Sequence, residues 1–360
     1  MNLHIVPDNT FINKFYDNLE ELGLTGNNKI LVRSNEKKLK SIKPDLPFAP
    51  IYSSRFSSLV GDTASYDKVF IHYFTPLLYR WVATHNFQEV NWMVWGGDLY
   101  NLSSLDELCY EPITLGKYVR KDWSAQTALY NLKVLITQDP FKKKAYAKVK
   151  NILTWMNQEY RFALGHLPIH ADQKFFFYEN QLPYGMLDAL IKPQTKSGKV
   201  SLIVGNSGSP TNNHLDVVQY LEENGVEADL FLPVSYGDPR YISFLKKNLK
   251  FSFGKVEFVD RYMPFDEYLD FLSTADGLIM NTIRPQGYGN ILMMMYLGKP
   301  VFFNSGNISL PDLTAAGIQW HPLESLRTLG DLDWNASNKD AVMNLLSHNR
   351  LLREYQLLFS

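Results

Sequence analysis

Short apolar runs rich in β-branched and aromatic residues alternate along this chain with segments whose apolar positions recur at helical spacing. "NLHIV" is followed by Ile12, Phe15, Tyr16, Leu19 and Leu22, and then by "KILVRS", "KVFIHYF" and "VNWMVWG". Strands covered on both faces have no polar side to show, so such runs between helical stripes predict parallel βα units. From about residue 111 to 165 the alternation weakens, and the segment reads as helices carrying the basic run "FKKKAYAKVK" and Trp155. "IKPQTKSGK" is a polar linker candidate, and the alternation restarts near Lys199 with "VSLIVG", "ADLFLPV", "KVEFVD", "DGLIMNT", "KPVFFN" and "GIQWH". Lys339 to Phe359 is again helical in character, with Leu345, Leu346, Leu351, Leu352 and Leu358 as its apolar positions. The pattern predicts α/β domains over 1–194 and 195–335, a helical insertion in the first at about 105–150, and a terminal helix over 336–360.

Composition narrows the class. With 360 residues and 45% hydrophobic content the chain can fill two ordinary cores. Its 36 Lys and Arg nearly cancel 37 Asp and Glu, which leaves no general attraction for nucleic acid. Cys109 stands alone, so no internal disulfide forms, and "MNLHIVPDNTF" lacks the form of a signal peptide; a cytoplasmic location is expected. Runs such as "ILMMMYL" fall far below the roughly 20 residues of a membrane-spanning helix, which makes any membrane contact peripheral.

Candidate chemistry gathers where strands end. In the second domain the first strand runs into "GNSGSPTNN". There Gly205 and Gly208 allow close approach, Asn206 and Ser207 offer donors, and a helical segment begins at His214. A helix start of this kind favours an anion by roughly 0.3–2 kcal/mol, although the same loop also serves as a plain turn. In "TIRPQGYGNILMMMYLGKPVFFN", Arg284 and Gln286 precede a Gly287-Tyr288-Gly289 turn and a helix starting near Asn290. Two anion-capable helix starts in one domain suit a diphosphate; the competing reading is a tight turn with a solvated arginine. In "NWMVWGGDLYNLSS", Asp98 follows Gly96-Gly97 at the end of a strand. It serves either as a general base, worth roughly 10²–10⁴-fold in rate, or as the cap of the next helix. Asp106, Glu107 and Glu111 are alternative bases. His72, in the middle of a strand, reads as a structural hydrogen-bonding histidine.

Metal chemistry has little support: "HLPIH" separates His166 and His170 by Pro168, and Asp331 and Asp333 in "GDLDW" read as a polar turn. "FKKKAYAKVKNILTWM" interleaves Lys142, Lys143, Lys144, Lys148 and Lys150 with Phe141, Tyr146, Ile152, Leu153, Trp155 and Met156. That is a basic, aromatic surface suited to anionic lipid, or simply a solvated helix face.

The order strand, glycine-rich turn, helix, "LGKPV" resembles the C-terminal signature of two-domain GT-B glycosyltransferases. "WGGDLYNLSS", "LIVGNSGSPTNNH", "LPVSYG", "FDEYL" and "RPQGYGNILMMMYLGKP" together are similar to the bacterial Fuc4NAc transferases of enterobacterial common antigen synthesis, glycosyltransferase family 56. The clearest departure is Leu105–Lys150, longer than the family pattern. The resemblance implies two Rossmann-like domains facing across a cleft, with the C-terminal helix returning to the first. It implies transfer from a nucleoside diphosphate sugar, typically of thymidine, to a glycan on a polyprenyl diphosphate at the inner membrane face, without a metal or other cofactor. On it the diphosphate falls to Gly205, Asn206, Ser207, Gly208, Arg284, Gly287, Tyr288 and Gly289, and Gln286 and Asn290 belong to the same nucleotide-sugar site. Tyr236, with Arg261 and Tyr262, falls to the nucleoside, and His72, Gly96 and Gly97 to the acceptor beside Asp98. An epimerase or hydrolase of the same fold, or a non-catalytic sugar-binding module, are the alternatives.

Overall fold

The computed structural model describes residues 1–102, 106–121, 125–178, 182–191, 199–327 and 338–360; most of the linker candidate, Asp331 and Asp333 lie outside them. The chain divides into two compact units: Met1–Ser103, Ala125–Asn180 and Leu346–Ser360 form the first, and Ser104–Ser124 with Gln181–Leu345 form the second.

The first unit is built on a parallel sheet of β1 (Asn2–Pro7), β2 (Asn28–Arg33), β3 (Phe48–Ala49), β4 (Val69–His72), β5 (Val90–Met93), β6 (Val149–Leu153) and β7 (Asp172–Lys174). Its spatial order is β3-β2-β1-β4-β5-β6-β7. The apolar runs become strands because helices cover both faces: Leu3, Ile5, Ile71 and Trp92 are fully buried. β6 was not expected as a strand. Its Lys150 is exposed and Lys148 precedes it, so the segment continues the lysine pattern of the helix before it, yet Val149, Ile152 and Leu153 are core. The closing helix, His348–Phe359, packs Leu351, Tyr355 and Phe359 into this unit.

The second unit carries β8 (Val200–Val204), β9 (Ala228–Pro233), β10 (Val256–Val259), β11 (Gly277–Met280), β12 (Val301–Phe303) and β13 (His321–Pro322), all parallel, in the order β10-β9-β8-β11-β12-β13. Leu202, Val204, Leu230 and Ile279 pack against Val217 and Leu221 of the helix His214–Glu223 to form its core.

The structure moves two expected boundaries. Residues 104–124, expected as part of an insertion in the first domain, belong to the second unit. The reason is local: Asp216 accepts hydrogen bonds from the Ile113 and Thr114 backbone N–H groups (2.8 and 3.0 Å), capping helix Pro112–Lys117 from outside. Tyr118 also packs against Tyr241 and Phe244. The terminal segment is two helices, and Asn338–Leu345 stays with the second unit.

Candidate functional site

In each sheet the strand order reverses once, and open parallel sheets bind ligands outside the carboxyl ends of the strands at that reversal. In the second unit the reversal lies between β8 and β11, so the loops after Val204 and Met280 emerge side by side. These are the two glycine-rich loops that the sequence singled out. Gln286 Nε2 donates to Asn206 Oδ1 (2.9 Å), Thr211 Oγ1 donates to Gln286 Oε1 (2.6 Å), and Asn206 Nδ2 donates to the Tyr236 hydroxyl (2.9 Å). The loop after β9 joins through Gly208 N–H to the Tyr236 carbonyl (2.8 Å) and Asp238 N–H to the Gly208 carbonyl (3.0 Å). Tyr236 keeps 60% of its surface exposed, so its ring is open to stacking.

The glycines divide by role. Gly205 has φ +73°, and a Cβ there would sit 2.8 Å from Asn212 Oδ1 and 2.9 Å from His214 Nε2; at Gly208 it would sit 2.3 Å from Ile242. The close approach at both positions is therefore made by the chain itself, which corrects their reading as room for a ligand. Gly287, at φ +70°, starts the helix Tyr288–Tyr296 and supplies no side-chain cap for its first turn. A Cβ on Gly289 would meet nothing within 4 Å, so this turn faces open space. Arg284 stands just before it, its Nε buried and without a partner among the described residues.

Arg261 and Tyr262 stand apart from this network. They follow the edge strand β10, where Arg261 pairs with Glu267 and Tyr262 is 85% exposed. Sequence reasoning missed Tyr268, which lies beside Asn290 and whose hydroxyl burial pushes up in pKa. It also missed His214, fully buried, lowered to about 3 by desolvation, and so neutral.

In the first unit the reversal lies between β1 and β4. Asp98 is 1% exposed. Its Oδ2 accepts from Phe74 N–H (2.7 Å) and Trp92 Nε1–H (2.6 Å), and its Oδ1 from Trp95 N–H (3.0 Å). Burial raises its pKa and these donors oppose the rise. Neither expected role describes this arrangement. The carboxylate is turned inward, tying the loops after β4 and β5 together, and it is not the side-chain cap of helix Gly97–Tyr100. The loop it holds contains Tyr73, a non-glycine residue at φ +62°, whose carbonyl accepts from Arg33 (3.1 Å) and whose hydroxyl lies 3.0 Å from where a Gly97 Cβ would be. A side chain at Gly97 would thus press on the Tyr73 ring.

His72 is fully buried in a directed chain. Trp95 Nε1 donates to the Tyr178 hydroxyl (2.6 Å), which donates to His72 Nδ1 (2.5 Å). His72 Nε2 donates to His4 Nδ1 (3.0 Å), and His4 Nε2 donates to Asn28 Oδ1 (2.9 Å). The direction is fixed at the Asn28 end, whose amide already gives its N–H groups to the Leu24 and Phe359 carbonyls (2.8 Å each), and the indole at the other end, which only donates, is consistent with it. Both imidazoles are therefore neutral with the proton on Nε2, as their lowered pKa values require, His4 at about 4 and His72 well below its ordinary value. His72 is structural; no signal in the sequence paired it with His4.

The sequence model of the family described as "4-alpha-L-fucosyltransferase glycosyl transferase group 56" matches residues 138–324, more than half of the chain. The chain belongs to glycosyltransferase group 56. Its fold is shared with a sucrose-phosphate synthase from Thermosynechococcus elongatus (13% identity, TM-score 0.60, covering 100% of this chain and 98% of that one). A glycosyltransferase from Rickettsia africae aligns likewise (15%, 0.55, 99% and 97%), as does an α,α-trehalose-phosphate synthase from Burkholderia vietnamiensis (8%, 0.55, 100% and 98%). The protein is a glycosyltransferase of the GT-B type, made of two parallel-sheet α/β domains.

Two further features of this glycosyltransferase differ from expectation. Of the expected lipid-facing surface, Tyr146, Ile152, Leu153 and Met156 are buried, and Lys148 donates to the His85 carbonyl with its pKa lowered by desolvation. Lys142, Lys143 and Lys144 remain together on helix Asp139–Tyr146. The apolar exposure lies instead on the preceding helix, Ala125–Thr137, where Leu129, Leu132, Leu135 and Ile136 are 52–66% exposed. Among the described residues no helix is long and apolar enough to cross a membrane, and no group of three or more His, Cys, Asp or Glu side chains is placed to hold a metal ion.

Proposed function

We propose that this glycosyltransferase moves a 4-acetamido-4,6-dideoxyhexose such as Fuc4NAc from a thymidine diphosphate donor to a polyprenyl-diphosphate-linked glycan in bacterial surface polysaccharide synthesis. The observation that carries the donor half is the joining of the Gly205–Asn213 and Arg284–Gly289 loops by Gln286 with Asn206 and Thr211 at the strand reversal, with Tyr236 of the loop after β9 bonded to Asn206. Beside this junction the first turn of helix Tyr288–Tyr296 offers N–H dipoles, and Arg284 offers a cation. A departing nucleoside diphosphate gains negative charge as the glycosidic bond breaks, and preorganised dipoles with a cation stabilise that charge without a metal. The exposed Tyr236 ring is suited to cover the base. The first unit takes the acceptor, and Asp98 sets the loops that line its site.

A lipid-linked acceptor fits the surface of the first unit. Residues 125–150 contain six lysines and one acidic residue, Asp139, beside the exposed leucines. Two successive helices, one showing leucines and the next lysines, meet the cytoplasmic face of a membrane through apolar burial and through anionic lipid.

Arg284→Ala tests the donor half. Loss of a charge-assisted hydrogen bond should weaken dTDP binding by roughly 1.5–3 kcal/mol in calorimetry. Unchanged affinity removes Arg284 from the site, and turnover that requires an added divalent cation after chelation refutes the metal-free stabilisation. Product analysis with donor alone separates transfer from epimerisation or hydrolysis.

A further inference from the structure

Glu111 lies far in sequence from both glycine-rich loops, in the segment that joins the second unit from outside its main span. Its side chain nevertheless reaches the carboxyl end of β12, beside that of β11. Asn281 and Asn304 are the first residues after β11 and β12. Asn304 Nδ2 donates to Glu111 Oε1 (2.8 Å) and to Asn281 Oδ1 (2.8 Å). The backbone of Glu111 is fixed as well: its N–H donates to Asn213 Oδ1 (3.0 Å), and Asn213 Nδ2 donates to the Asn281 carbonyl (2.9 Å). Asn213 is fully buried and left-handed (φ +52°), and Asp216 holds the next two N–H groups. A buried amide and a buried carboxylate thus fix the backbone, and the half-buried Asn304 the side chain, of a residue that itself remains partly exposed.

The charge of this residue decides what it can meet. A carboxylate only accepts hydrogen bonds, and Asn304 fills one position on Oε1; among the described residues no donor is directed at Oε2. A phosphate beside it would be repelled, so a diphosphate belongs at the other end of the β11 loop, where Arg284 and the Gly287 turn stand. What suits a carboxylate oriented by Asn304 is a group rich in O–H or N–H donors. The geometry points to Glu111 as the residue that binds the transferred sugar, accepting hydrogen bonds from its hydroxyl or acylamino N–H groups while Asn304, itself bonded to Asn281, holds the carboxylate in place. This rests on the reading that the second unit binds the nucleotide sugar, and it gives the sugar a recognition group separate from those of the diphosphate.

The test compares a ligand with the sugar and one without it. Glu111→Gln keeps the size, the backbone bond to Asn213 and an oxygen for Asn304, so its melting temperature should match the wild type. Its affinity for dTDP should stay within about twofold, while binding and kcat/KM for dTDP-linked sugars should fall about 10- to 100-fold, the range of one hydrogen bond to a charged group. Glu111→Asp, which keeps the charge and withdraws it, should lose sugar binding and again spare dTDP. An equal loss for dTDP and dTDP-sugar, or no loss for either, overturns the assignment of Glu111 while leaving the donor reading intact. Failure of the wild-type protein to bind dTDP or UDP, alone or sugar-linked, overturns the donor reading and this inference with it.

Discussion

Asp98 accepts three N–H groups, two from the loops after β4 and β5 and one from Trp92 of β5, and that geometry sets what its replacement should do. An asparagine there turns an NH₂ group toward N–H donors that have no other acceptor. The expected cost is about 1–3 kcal/mol of stability, seen as a lower melting temperature, with turnover falling because the Tyr73 and Trp95 loops loosen. A variant with unchanged melting and a roughly 10²-fold turnover loss would instead restore Asp98 as the proton acceptor. The buried histidines make a second prediction at this scale. His4 titrates near 6.5 unfolded but at about 4 folded, because burial disfavours its charged form. The unfolded chain therefore binds more protons between these values, so stability is full above about pH 6.5 and is lost as pH falls toward 4. Protonation would also put a second donor on Nδ1, where each histidine must accept. Urea midpoints at pH 7 and 4.5 check this, and His4→Gln should flatten the slope. Asp98, its pKa raised by burial, works in the opposite direction on acidification, so the difference between the two proteins, not the raw slope, is the diagnostic.

At the scale of elements, β1, β2, β4, β5 and the strands from β8 to β12 were legible because a strand buried on both faces has an almost unbroken apolar run. β6 was not, since "KVKNIL" sits at the end of a lysine series and its alternation is masked by Lys148 and Lys150, one of which only completes a bond to the His85 carbonyl. The glycine loops were legible as loops, but sequence alone could not separate Gly205 and Gly208, which make room for Asn212 and Ile242, from Gly289, which faces open space. Tyr178 and His4 were missed as site neighbours, and Glu111, expected as an alternative base to Asp98, belongs to the second unit, for one reason: each meets a partner more than 60 residues away in the chain. Helix Ala125–Thr137 carries the prediction here. Leu132, Leu135 and Ile136 changed to Ser should cut sedimentation with anionic vesicles at both low and moderate salt, since apolar burial is not screened. Lys142, Lys143 and Lys144 changed to Gln should weaken it mainly at low salt, by about 1 kcal/mol per charge. Binding that is indifferent to both sets would return this surface to plain solvent.

Over the whole molecule, each unit is completed by chain from outside its main span. Residues 104–124 supply Glu111 and Tyr118 to the second unit, and 346–360 supply the closing helix of the first. Sequence order therefore misplaces parts of both, and a cut at either domain boundary read from the alternation would remove core. Phe359 shows the consequence most directly. It is fully buried, packs its ring against His4, Phe15, Phe70 and Tyr355, and its backbone carbonyl accepts from Asn28 at the end of the histidine chain. Phe359→Ala should cost about 3–5 kcal/mol, the range for removing a core aromatic ring. The loss belongs to one unit: hydrogen exchange should quicken in β1, β2 and β4, while β8 and β11 keep their protection and calorimetric dTDP affinity stays near the wild-type value. Exchange that quickens equally in both sheets would show that the two units unfold as one, and the assignment of the C-terminal helix to the first unit alone would then fail as an account of stability.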